Sequence, residues 1–334
     1  MILYEFDYEQ PTTLEEAVVQ LRALGSSAAI AAGGTDLLPN MRIEVVRPST
    51  VVSLGAIDPV APARQPDGAI RIDALTRLAA IEESALLRAA LPMLVQAASA
   101  VGSNQIRQMG TLGGNLCQDT RCLWFNQKHD YQFKVPCYKR GGDLCYPFPT
   151  NRPGVCWSVH MSDTAPALMA LNAQVDILGE SGARRIDLEN LYTGDGITPV
   201  NLTDGEIIVA IVVPSPAQRT GWGYCKSARR GGLEFGISVM AVSVTATVDG
   251  RCSAARIFVN AIRERPTRLV ETEQALLGAS LDEATEARIA AVAAKEINPL
   301  PHHGFTKSHI RDDFRIKIRR ALGAAFARTR DNVN

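Results

Sequence analysis

The 334-residue chain lacks an excess of charge of either sign: 35 basic residues balance 35 acidic ones. Nucleic acid and anionic membrane surfaces select for a basic excess, so neither is expected as a partner. Long apolar runs are missing too. Nowhere do about 18 uninterrupted apolar residues occur, the length that a membrane-spanning helix needs. Met1 leads into ILYEFDYEQP, without the basic-then-apolar order of a secretory signal. A cytoplasmic protein is therefore expected. The patterns G-x-G-x-x-G and G-x-x-x-x-G-K-[ST] are absent, which leaves a nicotinamide Rossmann site and a P-loop triphosphatase without support. No Ser-His-Asp, Cys-His or paired-carboxylate arrangement stands out, so hydrolase readings have no basis.

What is present suits more than one domain, since single cores stop growing near about 250–300 residues. In TTLEEAVVQLRAL, Leu14, Ala17, Val18, Leu21 and Leu24 form one helical stripe, and Thr13 and Glu16 have capping-box spacing. The segments AAIAAGG and TVVSLG read as short buried strands, so residues 1–60 form a small βαβ-type unit. The stretch DPVAPARQPDG breaks the pattern. A second unit over 61–215 contains the strand AIRIDAL, helices interrupted at Pro92, the helix APALMALN, and the strands QVDIL and EIIVAIVVP. Residues 218–330 read as a separate α+β domain, with the strands GISVMAVSVTATV and AARIFVNAI ahead of helices. Its basic C-terminal helix, HIRDDFRIKIRRALGAAFARTR, is expected to present a solvated or subunit-facing surface.

Two glycine loops could bring backbone N–H groups against a phosphate: AAGGTDLL, with Gly33 and Gly34, and GTLGGN at 110–115, with Thr111 and Asn115 beside Gly114. Alone, a Gly-Gly pair between elements is more often a plain turn. In order along the chain, IAAGGTDLLPNMR, IRQMGTLGGNLCQ, SDTAPALMAL and YCKSARRGGLEFGISVMAV resemble the FAD-binding medium subunits of the xanthine oxidase and molybdenum hydroxylase family. The resemblance spans nearly the whole chain, and FRIKIRRALGAAFAR is similar to that family's closing helix. It implies a mixed α+β fold, with a two-part FAD-binding region followed by a C-terminal α+β domain. It also implies that the FAD diphosphate is wrapped by the first loop, Ala29, Ile30, Ala31, Ala32, Gly33, Gly34, Thr35, Asp36 and Leu37. Gly102, Thr111, Gly114, Asn115, Cys117 and Gln118 complete the cradle on this reading, together with Ile208, while Asp163 matches an acidic position on the cofactor's ribose or phosphate side. Lys226 matches a lysine near the isoalloxazine; a lysine held in a salt bridge is the plainer alternative. The resemblance further implies a molybdopterin-binding large subunit, a small subunit with two 2Fe-2S clusters, ferredoxin as electron donor, and a dimer of heterotrimers.

Five of the seven cysteines crowd into 117–156 with the spacing C-x4-C-x14-C-x7-C-x10-C, unlike a zinc ribbon or a ferredoxin run. Thiols are free in a reducing compartment, so metal binding is expected ahead of disulfides. Relative to the family, residues from about 119 to 160 are an insertion. Four thiolates serve a 4Fe-4S cluster or a structural zinc ion, and ligands spread along an irregular loop favour the cluster. The expected ligands are Cys122, Cys137, Cys145 and Cys156, with Trp124 and Trp157 in an apolar shell; His129 or His160 could replace one thiolate. Cys117 aligns with a position adjacent to the FAD in relatives without any cluster, whereas Cys225 and Cys252 are expected in the core. Competing readings are a flavin subunit with a zinc-bound insertion and an assembly module without redox work.

Overall fold

A computed structural model describes residues 3–127, 135–149, 155–230, 233–302 and 304–331. His129 lies outside the described residues. The described residues build three sheets. The first is parallel and contains β1 (Asp7–Glu9), β2 (Ala28–Ala31) and β3 (Thr50–Ser53) in the order β1-β3-β2. Helix α1 (Leu14–Leu24) connects β1 to β2, and α2 (Leu37–Arg42) precedes β3. Thr13 caps α1 by accepting from Glu16 N at 3.1 Å, while the Glu16 carboxylate reaches back one residue further than a capping box requires, to Thr12 N at 2.8 Å. Ala17, Val18, Leu21, Val52 and Leu54 share a small core with Leu75 and Ile207 of the next layer, which seats the first sheet on the second.

The second sheet has the order β4-β5-β8-β6-β7, from β4 (Ala63–Arg64), β5 (Ile70–Asp73), β6 (Gln174–Gly179), β7 (Gly182–Asp187) and β8 (Ile207–Val213), antiparallel throughout. Between β5 and β6 lie α3 (Leu78–Glu83), α4 (Ala85–Ala90), α5 (Pro92–Ser99), α6 (Asn104–Met109), α7 (Leu112–Leu116) and α8 (Thr164–Ala170). The helical stretch expected to break at Pro92 also breaks at Ser84, whose hydroxyl accepts from Leu87 N at 3.3 Å and starts a new helix. The second glycine loop is partly helical: Thr111 caps α7 by accepting from Gly114 N at 3.1 Å.

The third sheet is antiparallel with the order β12-β11-β10-β9, from β9 (Thr220–Ser227), β10 (Ser238–Ala246), β11 (Cys252–Asn260) and β12 (Thr267–Arg268). It is followed by α9 (Val270–Leu276), α10 (Glu283–Glu296) and α11 (Lys307–Asp331). Strand alternation divides β10 between two cores. Val239 and Ala241 join the core of the second sheet, and Met240, Val242 and Val244 join the core under α11. The apolar face of α11, with Ile310, Phe314, Ile318, Leu322 and Phe326, is buried there. Its backbone approaches the sheet closely because β9 carries Gly221 and Gly223; a Cβ at Gly223 would stand 1.9 Å from Ala321 O. Among the described residues no helix is long and apolar enough to cross a membrane.

Candidate functional site

A cavity of about 610 Å³ opens between the first and second sheets, within the range of about 300–1,000 Å³ usual for small-molecule and cofactor sites. Ile30, Ala32, Gly33, Gly34, Thr35, Asp36 and Leu37 line one wall. Gly102, Thr111, Gly114, Asn115, Cys117, Gln118, Asp163 and Ile208 line the others. Ala29 and Ala31 lie on β2 outside the lining, and Lys226 stands behind it. The two glycine segments touch: a Cβ at Gly33 would be 2.1 Å from Met109 O, and Gly34 has a φ of 68°. Only glycine allows that approach, and glycine adopts that backbone conformation without the cost a side chain would add. Asn115 anchors the segment leading into α8, its Oδ1 accepting from Ser162 Oγ and Thr164 Oγ1, each at 2.7 Å. Gln118 donates to Asn115 O at 2.9 Å.

Asp163 is the buried acid of this cavity. Its Oδ2 accepts from Lys226 Nζ at 2.7 Å, and the same ammonium donates to Ala100 O at 2.8 Å, so Lys226 ties β9 to the end of α5. Burial pushes the Asp163 carboxyl up to about 6 against the pull of the Lys226 charge. Its Oδ1 is buried without a hydrogen-bond partner among the described residues. An unpaired buried acceptor is costly, and a ligand hydroxyl or imide N–H in the cavity would satisfy it. The glycine contact, the size of the cavity and this orphaned oxygen all fit FAD.

Three further segments contribute walls that the sequence did not single out. The turn Leu202–Glu206 and the pair Asp119 and Arg121 line the cavity, as do Leu233, Glu234 and Phe235. The last three follow the ARRGG stretch of a quoted motif, whereas the turn before β8 carries only a T-D-G-E signal common to surface loops. Arg121 forms an ion pair with Asp36, and its guanidinium lies 5.2 Å from the centre of the Phe235 ring. Asp36 also accepts from Asp119 N at 2.9 Å. The start of the insertion is thereby fastened to the first glycine loop.

One residue beyond Arg121 a second, much smaller cavity of about 20 Å³ begins. Cys122, Cys137, Cys145 and Cys156 all line it, with Trp124, Phe125, Tyr146 and Trp157 among their neighbours. Trp124 and Tyr146 stack with ring centres 4.8 Å apart. The turn after Cys137 is tight: Gly142 N donates to Cys137 O at 3.0 Å, and a Cβ on Gly142 would meet Pro136 O at 1.9 Å. Burial raises the Cys122, Cys145 and Cys156 thiols, and neighbouring thiolates raise them further. Opposing this, backbone N–H groups of Trp124 and Phe125 favour the Cys122 thiolate, that of Phe148 favours Cys145, and Ser158 and Lys139 favour Cys156. All seven cysteines are unpaired. Among the described residues no group of three or more His, Cys, Asp or Glu side chains is placed to hold a metal ion.

The remaining sulfurs and histidines stand elsewhere. Cys117 lines the larger cavity, where burial pushes its thiol up to about 12 and favours the neutral form. Cys252 is buried in the core under α11, and Cys225 packs against it. His160 is fully buried away from the cysteine cavity, its Nδ1 3.0 Å from Asn260 Nδ2 and its Nε2 3.4 Å from Leu116 O. Burial lowers its pKa to about 4.

Comparison with known proteins agrees with this geometry. Residues 4–216 match the family described as FAD binding domain in molybdopterin dehydrogenase, and residues 222–313 match CO dehydrogenase flavoprotein C-terminal domain. The chain is 28% identical to the 6-hydroxypseudooxynicotine dehydrogenase complex subunit alpha of Paenarthrobacter nicotinovorans, over 97% of this chain and 96% of that protein. It is 27% identical to the carbon monoxide dehydrogenase medium chain of Afipia carboxidovorans, over 99% of this chain and 100% of that one. A solved structure of reconstituted CO dehydrogenase from Oligotropha carboxidovorans contains a similar chain, with a TM-score of 0.79, 26% identity, and coverage of 98% of this chain and 100% of that chain.

Proposed function

The chain belongs to the FAD-binding family of molybdopterin dehydrogenases, and from that premise we propose that its insertion holds a 4Fe-4S cluster and that it serves a reductase. The complex would reductively dehydroxylate 4-hydroxybenzoyl-CoA to benzoyl-CoA. The single observation that carries the cluster is the convergence of Cys122, Cys137, Cys145 and Cys156 on one small aromatic-walled cavity beside the larger one. The substrate rests on a likeness: a cysteine-bearing insertion at this point resembles that of the FAD subunit of 4-hydroxybenzoyl-CoA reductase.

When bound, FAD exchanges one or two electrons and an iron-sulfur cluster passes one at a time, so adjacent sites suit a relay. This chain's residues hold and orient the two groups. Gly33, Gly34 and the start of α7 admit the FAD diphosphate to backbone N–H groups, and Asp163 offers its free oxygen to a hydroxyl or imide. Lys226 fixes that carboxylate and brings a positive charge to the cavity wall. Electrons would come from a low-potential donor such as ferredoxin and leave for 2Fe-2S clusters and molybdopterin in partner subunits. The four thiols come from separate points of an irregular, aromatic-lined loop and share one cavity; ligands so spread suit a cluster better than the paired, closely spaced cysteines of a zinc site.

The test is to purify the chain anaerobically and measure iron, acid-labile sulfide, zinc and extractable flavin. About four iron and four sulfide per FAD is the expected result. One zinc per FAD would sink the cluster, make the insertion a structural device, and return the complex to the oxidising hydroxylases among which its relatives are named.

A further inference from the structure

Cys156 differs from the other thiols of its cavity in what stands behind it. Its Sγ is 3.2 Å from Ser158 Oγ, and Ser158 Oγ is hydrogen-bonded to Thr120 Oγ1. Thr120 in turn accepts from Lys139 Nζ at 2.7 Å. Thr120 and Ser158 are buried, and the Lys139 side chain is 6% exposed, held by an ion pair with Asp119 over the face of Phe125. Cys122 and Cys145 meet backbone N–H groups alone, whereas Cys156 meets the Ser158 hydroxyl as well as the Ser158 N–H.

We propose that Lys139, acting through Thr120 and Ser158, is a positioning residue that raises the reduction potential of an iron-sulfur centre ligated by Cys156. The inference rests on the cluster reading above. A ligating thiolate accepts hydrogen bonds and donates none, which gives the chain one direction. Lys139 N–H fills an acceptor site on Thr120, Thr120 O–H turns to Ser158, and Ser158 O–H turns to Sγ. Gly196 O, 3.1 Å from Thr120 Oγ1, is the competing acceptor. Uptake of one electron from a low-potential carrier of the ferredoxin class makes and breaks no bond and moves no proton. It adds one negative charge to the centre. A buried ammonium and an aligned hydroxyl dipole both favour that charge, more strongly in a water-poor setting than at the surface. Hydrogen bonds to sulfur are an established lever on cluster potential. Asp119 partly offsets the ammonium but lies on the far side of it from Cys156 in the bonded chain, so the hydroxyl relay keeps its polarity.

The experiment is an EPR-monitored redox titration of the assembled complex, wild type against Lys139→Met, Lys139→Arg and Ser158→Ala. At a fixed ambient potential Lys139→Met should lower the ratio of reduced to oxidised centre at least about tenfold, equivalent to about 59 mV for one electron. Ser158→Ala should lower it less, and Lys139→Arg should retain most of the wild-type value. Unchanged potentials in Lys139→Met and Ser158→Ala at full iron content would overturn the inference and leave the cluster reading intact. Absence of iron from the wild type, seen before any titration, would overturn the cluster reading and the inference with it. If Lys139→Met loses its iron, Ser158→Ala decides; loss from both would assign these residues to assembly and overturn the tuning role.

Discussion

Gly33 shows how far a single residue is bound by what approaches it. Its missing Cβ is the space occupied by Met109 O, 2.1 Å from where that atom would stand. Gly33→Val should therefore push the two glycine segments apart, a strain of about 1–3 kcal/mol. Binding of FAD should weaken about tenfold to a hundredfold. Flavin retained per chain after gel filtration measures it, with far-UV circular dichroism to show that the fold persists; full flavin content would refute the role. His160 offers a pH signature. Its folded-state pKa of about 4 lies below the ordinary 6.5, so between those values the unfolded chain binds a proton that the folded chain refuses. The stability it contributes is present above pH 6.5 and is lost as pH falls towards 4, about 3 kcal/mol from the 1.36 kcal/mol per unit relation. Asp163, raised to about 6, works in the opposite sense across an overlapping window, stabilising the fold at low pH and losing that contribution as pH rises through 6. The comparison that separates them is His160→Gln, whose urea stability should fall less than that of the wild type between pH 7 and pH 5. Parallel curves would remove His160 from the account. Gly33 could be picked from sequence because its loop is the first of several motifs that occur in a recognisable order along the chain. Arg121 could not, since an arginine in an insertion carries no periodic signal and its partner Asp36 is 85 residues away.

At the level of elements, legibility follows burial pattern. The stripe of α1 and the alternation in β10 are written in apolar spacing, because each buries one face or two against a continuous core. Strand β7 was not foreseen: its GARRID sequence is largely exposed, and it exists because its backbone pairs with β6 at the sheet edge. The short helices α6 and α7 escaped for a related reason. Each is about a turn long, started by Ser103 or Thr111 accepting from a backbone N–H three residues on, too brief for any period to show. The packing of α11 gives a prediction of its own. Gly223 and Gly221 let the helix backbone rest on β9, and Gly223→Val would set a branched side chain where Ala321 O now stands. The expected outcome is a destabilisation of at least about 1–3 kcal/mol, seen as a lower urea midpoint, with the glycine loops of the flavin cavity untouched in sequence. A midpoint equal to that of the wild type would mean that α11 can slide along the sheet without loss.

For the molecule as a whole, the larger cavity lies where the smallest layer meets the rest. The three-stranded sheet brings few apolar residues of its own to a core, and it borrows Leu75 and Ile207 from its neighbour. The third sheet is anchored far more heavily, by α11 on one face and the second core on the other. Small units with little buried surface depend on what they bind. On the proposed site FAD would meet the first glycine loop from one layer and α7 with Asp163 from another, so its binding free energy should be felt most by residues 3–57. Removing FAD should therefore raise amide hydrogen exchange in α1, β2 and β3 by about tenfold or more while leaving β10 and β11 nearly unchanged, since a ligand that binds only the closed form stabilises it by mass action. Hydrogen exchange on the FAD-free and FAD-loaded chain, read peptide by peptide, makes the comparison. A uniform increase across all three sheets would show that the layers open together, and the weak first layer would then not be the place where the cofactor's binding energy is expressed.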